Sequence, residues 1–321
     1  MNNGETYSVI NGGQIKTNGK TGITLNFDSS GGKLHFTSND TITVNTTGSG
    51  IVYVEGSSGT INTTSASKFD LSAGGRFTIS AGSINNEITL NGSNQITTSS
   101  GDDSVTVNGN NNTVKAGNGD NVITVSGNIN RITTGTDADN ITIDGASNTV
   151  NAGNGDNVIT VHGGSNKITT GTDADDITID GASNTVNAGN GENQITVSGG
   201  DQNSIVSGSG KDTISMTSNN STVKSGNGGD SITVSGSDNK IDAGDGDNEI
   251  TVAGNQNSIV SGNGKDTISV SGDSITVNSG ASDDRITANG NSNIIDAGNG
   301  NNRITVSGGD QNSIVSGSGK D

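Results

Sequence analysis

Apolar and polar positions alternate over short segments of this chain, and the segments recur at a fixed interval. Ile123–Val125 returns as Ile159–Val161 36 residues later, with Ile141–Ile143 halfway between, and each holds Thr between two apolar residues. Such alternation predicts a β-strand that buries one face. A further apolar residue nine positions after the first, as in Ile132 and Val150, predicts a second, shorter strand in each repeat.

The repeat unit is 18 residues long, apart from two units, 188–206 and 297–315, that are each longer by one residue. Twelve complete units cover 98–315, and the unit that precedes them, 81–97, is one residue shorter than the others. Gly and Asn fill both connections, as tight turns require. The sequence therefore predicts an all-β fold, a parallel β-solenoid (β-roll) of about thirteen 18-residue coils, with like residues stacked about 4.8 Å apart.

The N-terminal segment 1–80 keeps the strands and Gly-rich turns but loses the strict period. It contains every aromatic residue of the chain: Tyr7, Phe27, Phe36, Tyr53, Phe69 and Phe77. Terminal repeats of a solenoid are commonly atypical. We therefore predict an irregular, wider N-terminal solenoid cap over 1–80 and a regular β-roll over 81–321, with a separate small β-domain at 1–80 as the alternative.

Composition and charge narrow the possible functions. Only 26% of the residues are hydrophobic, which by itself is typical of a disordered chain, but the strict periodicity indicates a folded one. The net charge of −18 opposes nucleic-acid binding. No apolar run approaches the length of a membrane span, so no membrane insertion is predicted, and residues 1–5 lack the basic and apolar regions of a classical signal peptide.

The turn before the longer strand carries a recognisable motif. With positions numbered from the first residue of each unit, Ser261–Ser269 reads S-G-N-G-K-D-T-I-S and fits G-G-x-G-x-D-x-U-x except at position 1. Over 81–321, about three-quarters of its length, the chain resembles the RTX, or hemolysin-type calcium-binding, repeat family. The resemblance implies a parallel β-roll that binds calcium between turns through backbone carbonyls and the position-6 aspartates, which here are Asp103, Asp139, Asp175, Asp212, Asp230, Asp266, Asp284 and Asp321.

The chain departs from the family pattern in two ways. Several coils carry Asn at position 6 (Asn121, Asn157, Asn193, Asn248 and Asn302), and in four of these five position 5 supplies an acid instead (Asp120, Asp156, Glu192 and Asp247). The second half of the unit lacks the double glycine and carries an Asn column at position 15: Asn112, Asn130, Asn148, Asn166, Asn239, Asn257 and Asn293. The sequence thus predicts one acidic edge and one amide edge, and the amide edge can form an Asn ladder.

Calcium is the predicted cofactor of the acidic edge, because stacked carboxylates repel one another and hard oxygen ligands suit Ca²⁺. The steps from Asp212 to Asp230 and from Asp266 to Asp284 place acids in consecutive coils and are the strongest candidates. The predicted metal ligands are Asp103, Asp120, Asp139, Asp156, Asp175, Glu192, Asp212, Asp230, Asp247, Asp266 and Asp284. The alternative is that these residues only form turns and hold their charges in solvent.

Two further functions remain open. The outward Thr column at position 9 and the segments Gly135–Asp139 and Gly171–Asp175 make the chain similar to ice-binding RTX-like adhesin regions, although charged residues flank the column (Asp176, Glu249, Arg285 and Arg303). A polysaccharide-modifying enzyme is the other alternative. A catalytic site should interrupt a repeat, whereas these acids recur in every coil, and His35 and His162 have no evident partner, so no catalytic residue is predicted.

The function expected from these patterns is that of an extracellular or cell-surface structural and adhesive protein, stabilised by calcium, and not an enzyme. The segment Gly317–Asp321 ends within a turn, and Thr6–Val9 resembles the strand that follows the same turn earlier, Thr213–Met216. Self-association head to tail into a fibre is therefore one expected partnership; the alternative is that the sequence belongs to a longer protein. A surface glycan or cell-envelope component is the other expected partner.

Overall fold

The parallel β-solenoid predicted from the repeat is the fold of the chain. A computed structural model describes residues 1–9, 13–18, 21–27, 31–36, 40–46, 51–56, 58–63, 68–71, 76–82 and 85–321. It contains about 16 coils of about 18 residues, a slightly higher count than the thirteen regular coils predicted. The chain divides into two compact units, Met1–Val158 and Ile159–Asp321. No helix capable of crossing a membrane occurs among the described residues.

Each coil contributes one strand to each of two sheets. In both units the odd-numbered strands pair in parallel with one another, and so do the even-numbered strands. The odd-numbered strands are β1 (Thr6–Val9), β3 (Thr21–Phe27), β5 (Asp40–Thr46), β7 (Ser58–Thr63), β9 (Arg76–Ser80), β11 (Gln95–Thr97), β13 (Thr113–Gly117), β15 (Arg131–Thr134), β17 (Thr149–Gly153), β19 (Lys167–Thr170), β21 (Thr185–Asn187), β23 (Ser204–Val206), β25 (Thr222–Lys224), β27 (Lys240–Asp242), β29 (Ser258–Val260), β31 (Thr276–Asn278), β33 (Ile294–Asp296) and β35 (Ser313–Val315).

The even-numbered strands carry the longer apolar–polar–apolar segment of each repeat. They are β2 (Gln14–Lys16), β4 (Gly32–Phe36), β6 (Ile51–Gly56), β8 (Lys68–Leu71), β10 (Glu87–Asn91), β12 (Ser104–Asn108), β14 (Val122–Ser126), β16 (Asn140–Asp144), β18 (Val158–His162), β20 (Asp176–Asp180), β22 (Gln194–Ser198), β24 (Thr213–Thr217), β26 (Ser231–Ser235), β28 (Glu249–Ala253), β30 (Thr267–Ser271), β32 (Arg285–Asn289) and β34 (Arg303–Ser307).

The core is a stack of aliphatic layers. Ile123 and Val125 on β14 and Ile132 on β15 are completely buried, while Thr124 faces outward. Parallel pairing sets Ile123 opposite Ile141, so equal side chains meet from coil to coil. The two inner faces hold Ile, Val, one Met (Met216) and a few small residues, so the regular coils need no aromatic residue.

The described strands of the N-terminal segment 1–80 continue the same sheets and do not form a separate β-domain. Strand β9 pairs in parallel with β11, with Ile79 opposite Ile96, and the pairing extends back through β7, β5 and β3 to β1. Here Phe69 is buried opposite Ile88, in a column that the regular coils fill with Ile or Val, whereas the buried Phe27 and Phe77 lie opposite Thr46 and Gly59. The described strands of 1–80 therefore belong to the solenoid.

The second turn of each regular coil places position 14 in the left-handed region, where Asn and Gly are favoured and β-branched residues are rare. Asn111, Ser147 and Asp238 adopt a φ of about 60° there. Ile129 occupies the same position with a φ of 60° and is 60% exposed. This isoleucine therefore has an unfavourable backbone conformation with little burial to offset it.

We predict that Ile129→Asn raises the free energy of unfolding by about 1 kcal/mol, because it relieves the left-handed strain of a β-branched residue. Urea unfolding followed by circular dichroism measures the change. The reciprocal variant Ser147→Ile is the matched control and should lower the unfolding midpoint by a similar amount. A lower midpoint for Ile129→Asn would show that the exposed side chain contributes more than the strain costs.

Candidate functional site: the ladders of the turns

The acidic edge is a ladder of hydrogen bonds that runs through the interior of the first turn. At position 6 the backbone N–H of one coil donates to the side-chain Oδ1 of the next coil. The distance is 3.0 Å from Asn121 to Asp139 and 2.9 Å from Asp212 to Asp230. The buried members are Asn86, Asp103, Asn121, Asp139, Asn157, Asp175, Asn193, Asp212, Asp230, Asn248, Asp266, Asp284 and Asn302. Asp and Asn are interchangeable here because both supply Oδ1.

The amide edge forms a second ladder of the same kind. At position 15 the N–H of Asn112 donates to Oδ1 of Asn130 over 2.8 Å, and Nδ2 of Asn130 donates back to the carbonyl of Gly109 over 3.0 Å. Ile275 interrupts this column, since its side chain has no acceptor, and in the following coil Nδ2 of Asn293 lacks a hydrogen-bond partner among the described residues. The predicted Asn ladder is thus present, with one apolar break.

The second atom of the position-6 side chain distinguishes Asn coils from Asp coils. In Asn121 and Asn248, Nδ2 donates to the carbonyls of Gly119 and Gly246 inside the turn, over 2.8 and 3.0 Å. An aspartate has an acceptor, Oδ2, in place of this donor. Among the described residues Oδ2 is buried without a hydrogen-bond partner in Asp103, Asp139, Asp212, Asp230, Asp266 and Asp284. An oxygen-lined turn that lacks a donor suits a cation or a proton.

The position-5 acids lie elsewhere. Asp120, Asp156, Glu192 and Asp247 are exposed, and Oδ1 of Asp247 accepts the backbone N–H of Lys265 over 2.8 Å. The structure therefore separates them from the inward position-6 carboxylates. Within the described residues no three His, Cys, Asp or Glu side chains are grouped closely enough to hold a metal ion. A cation in the turns would need backbone carbonyls as ligands.

Burial controls the protonation of the position-6 acids. It raises the pKa of Asp266 to about 6. The hydrogen bond from the Asn248 amide opposes this rise, and repulsion by Asp284 adds to it. Burial also raises the pKa of Asp139, Asp212 and Asp284. These carboxyl groups take up protons more readily than solvent-exposed aspartates.

The position-1 hydroxyls are part of the site, and they were not among the predicted site residues. Ser207 Oγ donates to the carbonyl of Ser225 over 3.0 Å. A hydroxyl residue occupies position 1 in every coil that has Asp at position 6, and in no coil that has Asn there. Ser or Thr accompanies Asp in Thr98/Asp103, Thr134/Asp139, Thr170/Asp175, Ser207/Asp212, Ser225/Asp230, Ser261/Asp266, Ser279/Asp284 and Ser316/Asp321, whereas Ala accompanies Asn in Ala81/Asn86, Ala116/Asn121, Ala152/Asn157, Ala188/Asn193, Ala243/Asn248 and Ala297/Asn302.

This pairing has a direct physical cause. An Asn side chain already brings its own donor, as when Nδ2 of Asn302 donates to the carbonyl of Ala297 over 3.0 Å, so position 1 needs no hydroxyl. An Asp side chain has no such donor, so the position-1 hydroxyl of its coil supplies one, as when Ser261 Oγ donates to the carbonyl of Ser279 over 3.2 Å. The alternation of coil types also separates the charges. Nδ2 of Asn193, for example, donates to Oδ1 of Asp212 over 3.0 Å.

The outer faces contain two histidine–carboxylate contacts that the sequence did not reveal. Nδ1 of His35 lies 3.8 Å from Oε2 of Glu55, and Nδ1 of His162 lies 3.8 Å from Oδ2 of Asp180. The expectation that the histidines have no partner was therefore wrong, because each partner belongs to a neighbouring coil. All four side chains are at least one-third exposed, so these pairs contribute little stability.

Comparison with known proteins gives one partial match. The model of a protein family of unknown function, DUF3060, matches residues 214–274. This segment covers about a fifth of the chain and includes the buried acids Asp230 and Asp266. No curated protein and no solved structure matches the chain.

The raised pKa of Asp266 predicts a pH-dependent stability in metal-free protein. The folded state holds this proton up to about pH 6, whereas the unfolded state releases it near the ordinary value of 3.8. Stability is therefore greatest below pH 4 for this group and falls as the pH rises through 6. The test compares the thermal midpoint of the wild type with that of a Ser261→Ala/Asp266→Asn variant. We expect the difference, wild type minus variant, to increase when the pH is lowered from about 7 to about 5. An unchanged difference would contradict the assignment.

The coupling of positions 1 and 6 is tested by a double-mutant cycle. Ser261→Ala alone should lower the free energy of unfolding by about 1–3 kcal/mol, because it leaves the buried carbonyl of Ser279 without the hydroxyl that donates to it. Adding Asp266→Asn should restore most of this loss, since the double variant reproduces the Ala243/Asn248 coil. Urea unfolding measures both changes. Additive effects would mean that the two residues act independently.

Proposed function

We propose that this chain is an extracellular structural and adhesive repeat protein whose Asp-containing coils are stabilised by calcium. The observation that carries the proposal is the uniformity of the regular coils. From residue 98 onwards every complete coil repeats the same aliphatic layers, which supports a mechanical role as a scaffold or spacer.

Calcium is supported by the chemistry of the turns. Asp266 and Asp284 lie in consecutive coils, and each buries an Oδ2 that has no hydrogen-bond partner among the described residues. Asp212 and Asp230 repeat this arrangement. Carboxylate and carbonyl oxygens are the ligands that Ca²⁺ prefers, and a bound cation would remove the repulsion between stacked acids.

A calcium-dependent fold also suits an extracellular location. Ligand binding to the folded state alone stabilises it in proportion to the logarithm of the free ligand concentration. Calcium is scarce inside cells and abundant outside them, so such a solenoid would gain its full stability only after export.

We expect calcium to raise the thermal midpoint of the chain at pH 7 relative to the same protein in EGTA. Converting two neighbouring coils to the Ala–Asn type, with Ser261→Ala/Asp266→Asn and Ser279→Ala/Asp284→Asn, should reduce this shift by removing one acidic step. Differential scanning calorimetry with and without calcium provides the measurement.

The control is Asp310→Asn, which removes an exposed charge outside the position-6 column and should leave the calcium shift unchanged. Equal midpoints in calcium and EGTA would contradict calcium stabilisation. The solenoid would then be a structural protein that its hydrogen-bond ladders hold without metal.

A further inference from the structure

One coil of the repeat lacks a residue, and the gap creates a cavity. Asn91 pairs with Asn108 and Gln95 with Thr113, so three residues span the second turn of this coil where the next coil has four. The missing residue corresponds to position 14, which Asn111 occupies in the following coil with a φ of 59°. The stack of turns therefore has a vacancy directly beside Asn111.

The cavity at this vacancy has a volume of about 280 Å³. Its lining residues are Arg76, Phe77, Thr78, Ser93, Asn94, Gln95, Asn111 and Thr113. The floor is rigid, because Oδ1 of Asn94 accepts the backbone N–H of Phe77 over 3.1 Å and its own N–H donates to Oδ1 of Asn112 over 2.7 Å. These hydrogen bonds hold the floor of the site in place at the point where the repeat is one residue short.

The polar groups around the cavity are available to a ligand. Arg76 is exposed and forms no ion pair with any described residue, although the chain carries a net charge of −18. The side-chain amides of Gln95 and Asn111 form no hydrogen bond within the described part of the chain. Thr78 and Thr113 add hydroxyl groups at the rim. Among the described residues, the lining therefore offers one fixed positive charge, that of Arg76, surrounded by neutral donors and acceptors.

We propose that this cavity binds a hexuronate residue of an acidic polysaccharide. The guanidinium of Arg76 matches a carboxylate in planar, two-point geometry. Amide and hydroxyl side chains match the ring hydroxyls of a sugar, and the volume accommodates one sugar ring. The cavity opens on the outer face beside β9 and β11, so the polysaccharide can continue on either side of the bound residue. Glycan binding is the adhesive part of the function proposed above, and this site rests on that function.

Isothermal titration calorimetry with trigalacturonate, in calcium-containing buffer, tests the site. We expect trigalacturonate to bind and the neutral trisaccharide galactotriose not to bind. Arg76→Gln should weaken binding at least tenfold, because it removes the charge and keeps the amide. Insertion of one Asn between Ser93 and Asn94 restores the regular turn, fills the vacancy and should abolish binding.

The control variant Arg131→Gln changes another exposed arginine of the same unit and should bind as the wild type does. Circular dichroism of each variant verifies that the β-solenoid is intact. Three results would each overturn the site. They are equal binding of galactotriose, unchanged binding after Arg76→Gln or after the insertion, and no binding of trigalacturonate. A calcium-stabilised fold that fails to bind trigalacturonate would overturn this site alone and leave the structural role in place.

Discussion

The structure depends on one interaction, the capping of a turn N–H by a side-chain oxygen from the next coil. Parallel strands satisfy their own backbone groups, but the turns between them leave buried donors that need partners. Asp139 and Asn130 provide such oxygens on the two edges of the first unit. Each cap contributes about 1 kcal/mol, and losing one costs more because the donor stays buried. The ladders thus stabilise a chain with few apolar residues.

The same interaction explains the chemistry of the acidic edge. A ladder needs only Oδ1, so Asn and Asp both fit. The choice between them decides whether the second side-chain atom is the donor Nδ2 or the acceptor Oδ2. In Asn121 that atom donates to a turn carbonyl, whereas in Asp266 it is a buried oxygen whose protonation is shifted to higher pH. The Asp coils therefore connect the stability of the solenoid to protons and cations, and the Ala–Asn coils between them limit charge repulsion.

Most of the fold and part of the site could be predicted from the sequence. The 18-residue period placed the strands and buried layers correctly because each coil repeats the same contacts. Side chains alternate between the two faces of a strand, so position 6 points to the same side as the inward positions 8 and 10. This alternation already implied that Asp266, at position 6, points inward and that Asp247, at position 5, points outward. The Ser261/Asp266 type of pairing was also visible. The contact between His35 and Glu55 could not be predicted, because coil length is irregular there. The cavity beside Asn111 could not be predicted either, because its shape depends on how the shortened turn closes.

Native-state hydrogen exchange of the turn amides tests the ladders most directly. The account predicts that the backbone amides of Asp212 and Asn239, which donate to Oδ1 of Asp230 and Asn257, exchange as slowly as the amides of the neighbouring strands. Exchange of these two amides at the rate of an unstructured peptide, with the strands still protected, would contradict it.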